Sequence, residues 1–174
     1  GEKEATRKAL ALFAYLVVES GAHPREKLMS LFWPESETRL AQSALRNTLA
    51  RIKEALRGVE EPLKMDGDRV RVGISIASSL DLELVAWATG RSAPEISTLQ
   101  TAAEASRGPF LDGLSLPDAP AFDEWLTIQR THWGHRQILV FDRLSLYQLE
   151  HHLIEPAIET VQRWIVLDHL NETA

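Results

Sequence analysis

The sequence predicts a mainly α fold in two domains, three helices with a β-hairpin followed by an all-helical repeat domain. Most of the chain places apolar residues at helical spacing, and alternation of period two is confined to the stretch 63–72. The length of 174 residues allows one or two domains. We expect the boundary near residue 75, which gives domains 1–75 and 76–174.

The first two helices are predicted from an apolar stripe and from turn residues. Helical spacing of apolar side chains runs from Glu4 to Glu19, and Ser20-Gly21 follows as a helix stop. His23-Pro24 is expected to open the second helix, with Pro24 at its first position. We expect that helix to end at Trp33-Pro34.

The third helix is the basic one. We expect it to run over 36–57, with Ser36 as N-cap. Its buried stripe recurs at four-three-four spacing, at Leu45, Leu49, Ile52 and Leu56. The opposite face carries Leu40, Ser43, Asn47, Arg51 and Glu54, and it is flanked by Arg39, Arg46, Lys53 and Arg57. From Thr38 to Arg57 there are five basic residues and one acidic residue.

A β-hairpin is predicted over 63–73. Two short runs of period two, 63–66 and 69–72, surround Gly67-Asp68, the kind of Asp/Gly turn that joins hairpin strands. Lys64, Arg69 and Arg71 make the hairpin basic. Three helices, the third one basic, and then a basic hairpin is the order of a winged helix-turn-helix, in which the third helix enters the major groove.

The second half is predicted to be helical and acidic. We expect helices over 81–89, 95–106 and 119–150, and a last helix with Pro156 near its start. Residues 1–75 hold 13 basic and 11 acidic side chains, whereas residues 76–174 hold 6 and 14. The overall net charge of −6 therefore conceals a slightly basic half and a strongly acidic half, which points to different partners for each.

These stretches resemble SARP-type bacterial transcriptional regulators, which join an OmpR-type winged helix to a bacterial transcriptional activator domain. In the first half, the resemblance is carried by three segments, 7–16 (RKALALFAYL), 24–35 (PREKLMSLFWPE) and 44–56 (ALRNTLARIKEAL). In the second half, it is carried by 108–114 (GPFLDGL), 122–126 (FDEWL), Arg130 and 167–172 (LDHLNE). The segments follow the family's order over nearly the whole chain.

The resemblance implies a transcriptional regulator, most simply an activator, that binds double-stranded DNA. The second domain would be similar to tetratricopeptide repeats and would contact RNA polymerase, another protein or a second copy of the chain. OmpR-type domains begin with strands, which we expect to be absent before Glu4. Because the chain starts with Gly1 and stops where the family continues, we expect a piece of a longer protein with a truncated repeat array.

The residue types on helix three and the hairpin fit contacts to DNA. Arg51 and Asn47 are suited to base edges, since arginine pairs with guanine and asparagine with adenine. The residues predicted to contact DNA, mostly through backbone phosphates, are Arg39, Ser43, Arg46, Asn47, Arg51, Lys53, Lys64, Arg69 and Arg71. The alternative is a protein-interaction scaffold whose winged half no longer binds DNA, and Glu54 on the same face favours it slightly.

Other classes of protein are disfavoured by missing motifs. The chain has no cysteine, no phosphate-binding loop ending in Lys-Ser/Thr and no Gly-x-Ser-x-Gly elbow, so we expect neither an enzyme nor a bound cofactor. His132 and His135 lack a third ligand at helical spacing, so we expect no metal. An apolar run long enough for a membrane span is also missing, and the expected location is the cytoplasm.

Overall fold

The computed structural model describes residues 2–73, 81–90 and 94–172. Within these ranges the chain forms seven helices and a three-stranded antiparallel sheet, so the prediction of a mainly α fold is confirmed. Its contacts divide into two compact units. Unit 1 comprises residues 2–73 and 114–126, and unit 2 comprises 81–90, 94–113 and 127–172. The expected boundary at residue 75 adjoins residues 74–80, which lie outside the described ranges.

Unit 1 is built on three helices, α1 (Glu2–Val18), α2 (Arg25–Phe32) and α3 (Thr38–Ala55). Helix α1 ends where Ser20 and Gly21 take positive φ angles of 24° and 100°, a conformation that stops a helix and suits glycine. The buried stripe of α3 packs against α1 and α2. Side chains from all three helices are fully buried in this core: Leu12, Leu16, Leu28, Phe32 and Leu45.

The sheet contains the predicted hairpin, β2 (Leu63–Asp66) and β3 (Arg69–Val72), and a short extra strand β1 (His23–Pro24), in the order β1-β3-β2. Gly67 has a φ of 59° at the first turn position, as a type II′ hairpin turn requires. The prediction that His23-Pro24 opens α2 is wrong. Proline restricts the residue before it to extended backbone, and Pro24 itself is extended (φ −58°, ψ 138°), so these residues pair with β3 instead.

Helix α3 is shorter than predicted at both ends. The Ser36 N–H donates a hydrogen bond to the Trp33 carbonyl in a turn that contains Pro34. Ser36 is therefore not the N-cap of α3, which begins only at Thr38. Glu37 occupies the N-cap position in extended backbone without a side-chain cap. At the other end, the chain leaves the helix at Leu56 ahead of Gly58, whose φ is 103°.

The segment 114–126, which the sequence analysis places in the second half, belongs to the core of unit 1. Phe122 is fully buried, with its ring 5.0 Å from that of Phe32. The Trp125 ring lies 5.1 Å from Tyr15. Leu114, Leu116, Ala119 and Leu126 are also buried. Unit 1 is therefore assembled from two stretches that are separated in sequence.

Unit 2 contains helices α4 (Asp81–Gly90), α5 (Ile96–Ala105), most of α6 (Pro120–Glu150) and α7 (Ile154–Glu172). Its core is formed by Val85, Ala88, Leu99, Ala102, Ala103, Val140, Phe141, Leu144 and Leu167. A buried hydrogen bond from the Thr160 hydroxyl to Gln148 Oε1, 2.8 Å long, joins α7 to α6. The long helix predicted over 119–150 is confirmed as α6. None of the helices in the described ranges is long and apolar enough to cross a membrane.

Candidate nucleic-acid interface

The exposed face of α3 is the most basic surface among the predicted sites. All six of its predicted DNA contacts are exposed: Arg39, Ser43, Arg46, Asn47, Arg51 and Lys53. On the opposite face, Leu45, Leu49 and Ile52 are buried, as the four-three-four spacing predicts. The one acidic residue in the helix, Glu54, forms an ion pair with Arg57. The helix thus presents four basic side chains, while its only carboxylate is paired with a neighbour.

A groove of about 440 Å³ runs beside two of these residues. Asn47 and Arg51 line it together with Trp33. The other polar side chains along it are Glu4, Lys8, Thr48 and Asp118. We call it the α3 groove. It carries both signs of charge, so a phosphate approaching Arg51 from this side meets two carboxylates, whereas the rest of the exposed helix face is basic.

Lys8 is the least expected residue of the α3 groove, because a lysine is rarely buried unless it is paired. Its side chain is only 9% exposed, and its Nζ donates to the Phe32 carbonyl at 2.9 Å and to Asp118 Oδ2 at 2.5 Å. The ammonium also lies 5.1 Å from the centre of the Trp33 ring, within range of a cation–π interaction. The sequence pattern itself indicates this burial, since Lys8 precedes the buried Leu12 and Tyr15 at four-three spacing.

The three basic residues of the hairpin share one face. Lys64 pairs with Arg71 across the strands, and Arg69 lies two residues from Arg71, so all three point to the same side. Val70 and Leu63 are buried on the other side. Lys64 and Arg69 are exposed and Arg71 is half-buried. The predicted contacts of the hairpin are thus brought together on one face, which also carries the exposed carboxylate of Asp66 opposite Arg69.

Two of these hairpin side chains also have partners within unit 1. Arg69 donates from Nη1 to the Ala22 carbonyl at 3.3 Å, next to β1. The Lys64 ammonium lies 3.8 Å from a carboxylate oxygen of Glu61, an exposed pair that contributes little to stability. Each interaction leaves further donors on the side chain, since a guanidinium has five and an ammonium three.

His23, on β1, is the only histidine of unit 1. It is buried against Tyr15, with ring centres 5.3 Å apart. Burial lowers the pKa of the imidazole below 6.5, and the nearby charge of Lys27 lowers it further, against a smaller opposing effect of Glu19. In the described ranges, no three His, Cys, Asp or Glu side chains lie close enough together to hold a metal ion.

Comparison of the chain with protein families, with curated proteins and with solved structures gives no match.

Proposed function

We propose that unit 1 is a winged helix-turn-helix that binds double-stranded DNA, with α3 in the major groove and the β2–β3 hairpin on the adjacent backbone. The observation that carries this proposal is the exposed basic face of α3 in the same compact unit as a hairpin whose three basic residues share a face. Phosphate contacts of this kind supply most of the non-specific affinity for DNA.

The dimensions and residue types of α3 suit the major groove. Its 18 residues span about 27 Å, and a helix fits a groove about 12 Å wide. Arg51 and Asn47 are assigned to base edges, guanine and adenine respectively. Arg39, Arg46 and Lys53, with the hairpin residues, are assigned to phosphates, which position the domain without reading sequence.

The order of elements supports the same proposal. Helix α1 is followed by β1, α2, α3 and the hairpin, and β1 pairs with β3, which is the second strand of the hairpin and the central strand of the sheet. This pairing fixes the hairpin beside the start of α2, where the Arg25 N–H bonds the Asp68 carbonyl of the turn at 2.9 Å. Such a domain fits a cytoplasmic transcriptional regulator of the SARP type, with unit 2 contacting RNA polymerase or another protein.

The test is fluorescence anisotropy of a labelled duplex titrated at several salt concentrations. Wild-type chain is compared with Arg46→Glu/Arg51→Glu and with Lys3→Glu/Arg107→Glu, which changes the charge equally at exposed positions outside α3 and the hairpin. We expect log-linear weakening with salt and loss of binding in the α3 variant alone. Equal loss in both variants would show a general charge effect and would refute a site on α3.

A protein-interaction scaffold remains the second candidate, and the mixed charge of the α3 groove favours it. Glu4 and Asp118 line this groove beside Arg51 and Asn47. In that case, the α3 groove binds a polar segment of a partner protein, and α3 does not enter the major groove of DNA. Absence of duplex binding by the wild-type chain at low salt would select this candidate.

A further inference from the structure

Unit 2 contains a cavity of about 230 Å³ that is lined by α4, by the end of α5 with the loop that follows it, and by α6. We call it the Trp133 cavity. Most of its lining is apolar, and these side chains are Val85, Ala105, Pro109, Phe110 and Trp133. The cavity is larger than the roughly 30 Å³ that one water molecule occupies, and it is smaller than the ~300–1,000 Å³ of sites for drug-sized ligands. Its size therefore suits a small organic molecule.

Two polar atoms of residues that line the Trp133 cavity are buried and have no hydrogen-bond partner among the described residues. They are Nε1 of Trp133 and Oε1 of Gln137. Buried polar atoms of folded proteins are nearly always paired, because an unpaired one is costly. The two residues are four positions apart on α6, so they are neighbours on one side of the helix. The lining therefore combines one unpaired donor with one unpaired acceptor.

Other contacts hold both groups in place. The side-chain nitrogen of Gln137 donates to the Gly108 carbonyl at 3.1 Å, so reversing the amide would set two oxygens against each other and its oxygen stays the unpaired atom. The Trp133 ring lies 6.2 Å from the ring of Phe110, at an angle of 28°. The Arg136 guanidinium lies 5.6 Å from the centre of the same indole. The donor and the acceptor are thus positioned without a ligand, which favours affinity.

The remaining polar residues of the lining restrict the charge of a ligand. Ser106 is occupied, since its hydroxyl donates to the Ala102 carbonyl at 2.9 Å. Arg107, whose side chain is exposed, is the one charged residue of the lining within the described ranges. A cationic ligand would be repelled by this guanidinium. A carboxylate would accept from Trp133 but would offer the Gln137 oxygen no donor.

We propose that the Trp133 cavity binds a small aromatic carboxamide, which is a primary amide attached to a flat apolar ring. Its carbonyl accepts from Trp133 Nε1, and its N–H on the same edge donates to Gln137 Oε1. Its ring packs against Val85, Pro109 and Phe110. The proposal concerns unit 2 alone and does not depend on DNA binding by α3.

Three probes of similar size and shape test the proposal on the full chain. Benzamide carries an acceptor and a donor, acetophenone carries only the acceptor, and benzamidine carries only donors together with a positive charge. Binding is followed by the indole N–H resonance of Trp133 in a proton–nitrogen correlation spectrum, in which each of the five tryptophans gives one signal. The signal of Trp133 is assigned by its absence from the spectrum of Trp133→Phe.

We expect benzamide to shift the Trp133 resonance saturably, because the indole N–H gains an acceptor. Acetophenone and benzamidine should bind at least about tenfold more weakly, since each leaves one of the two buried groups unpaired. In Gln137→Leu, benzamide should lose its advantage over acetophenone. The matched control is Gln129→Leu, on the same helix but outside the cavity lining, which should retain that advantage. Circular dichroism and thermal melting check that each variant folds.

Three results would overturn the proposal. The first is the absence of a saturable shift with benzamide, which would assign the two polar atoms to bound water. The second is equal affinity of the wild-type chain for the three probes, which would show that the cavity recognises only the apolar ring. The third is an advantage of benzamide over acetophenone that survives in Gln137→Leu or is lost equally in Gln129→Leu.

Discussion

The Lys8 ammonium lies 2.5 Å from Asp118 Oδ2 and joins α1 to the segment 114–126 across 110 positions of sequence. The same Nζ donates to the Phe32 carbonyl at the end of α2. One buried side chain thus links three parts of unit 1. Lys8 lines the α3 groove together with Arg51 and with the two carboxylates of the groove, Glu4 and Asp118.

Replacing Lys8 should therefore destabilise unit 1 more than replacing its partner. In Lys8→Met the Phe32 carbonyl loses its buried donor, and we expect the free energy of unfolding to fall by about 1–3 kcal/mol. Asp118 is about half-exposed, so Asp118→Asn should cost less than about 1 kcal/mol. Urea denaturation measures both, with Lys3→Met as the exposed control. Equal effects of Lys8→Met and Lys3→Met would contradict the buried role of Lys8.

Phe122 provides the corresponding test of the apolar contacts of segment 114–126. It is fully buried against Phe32, so Phe122→Ala should lower the free energy of unfolding by about 3–5 kcal/mol. Ile128, on the same helix but largely exposed, is the matched control, and Ile128→Ala should change the free energy by no more than about 0.5 kcal/mol. If both variants unfold at the same urea concentration, Phe122 does not belong to a core.

His23 should make stability depend on pH below neutrality. Because burial lowers its pKa in the folded state, the unfolded chain binds more protons as pH falls below 6.5. The contribution is fully present above pH 6.5 and is lost as pH falls through the folded pKa. We expect His23→Gln to flatten the dependence of unfolding free energy on pH between 7.5 and 5.5, which urea titrations at each pH would measure. An unchanged pH dependence in His23→Gln would contradict this role of the buried imidazole.

Single substitutions on α3 and on the hairpin should distinguish residues that contact bases from residues that contact phosphates. Arg51→Ala should weaken binding to a selected operator by about 1–3 kcal/mol and leave binding to unrelated duplexes nearly unchanged. Lys64→Ala should weaken binding to all duplexes alike and reduce the salt slope by about one. Anisotropy on an operator and a scrambled duplex checks both variants. Equal loss on the two duplexes in Arg51→Ala would assign that residue to phosphate instead.

The features that depend on residues close in sequence were predicted correctly. The hairpin follows from Gly67-Asp68 between two alternating runs, and the buried face of α3 follows from Leu45, Leu49 and Ile52, because each pattern involves residues close in sequence. Strand β1 was missed because two residues carry no period and pair only with distant β3. The interaction of Lys8 with Asp118 was missed for the same reason, although the position of Lys8 in an apolar stripe indicated burial.

The same difference between residues close in sequence and residues from distant segments applies to the candidate sites. Sequence reasoning placed the predicted contacts of α3 on or beside the face opposite its buried stripe, since helical periodicity determines that face. It did not find the α3 groove, because Trp33, Asp118 and Glu4 come from separate segments. It predicted the last helix but not the exposure of Ile158 and Val161, since apolar spacing alone does not distinguish a core from an exposed surface.

The two-part construction of unit 1 has a consequence for the synthesis of the chain. A ribosome adds residues from the N-terminus, so α1, α2, α3 and the hairpin emerge well before Phe122 and Leu126. At about 5–20 residues per second, roughly 3–10 s separate residue 73 from residue 126. During that interval Phe32 and Tyr15 lack the aromatic side chains that later pack against them, which exposes apolar surface of the kind that chaperones recognise.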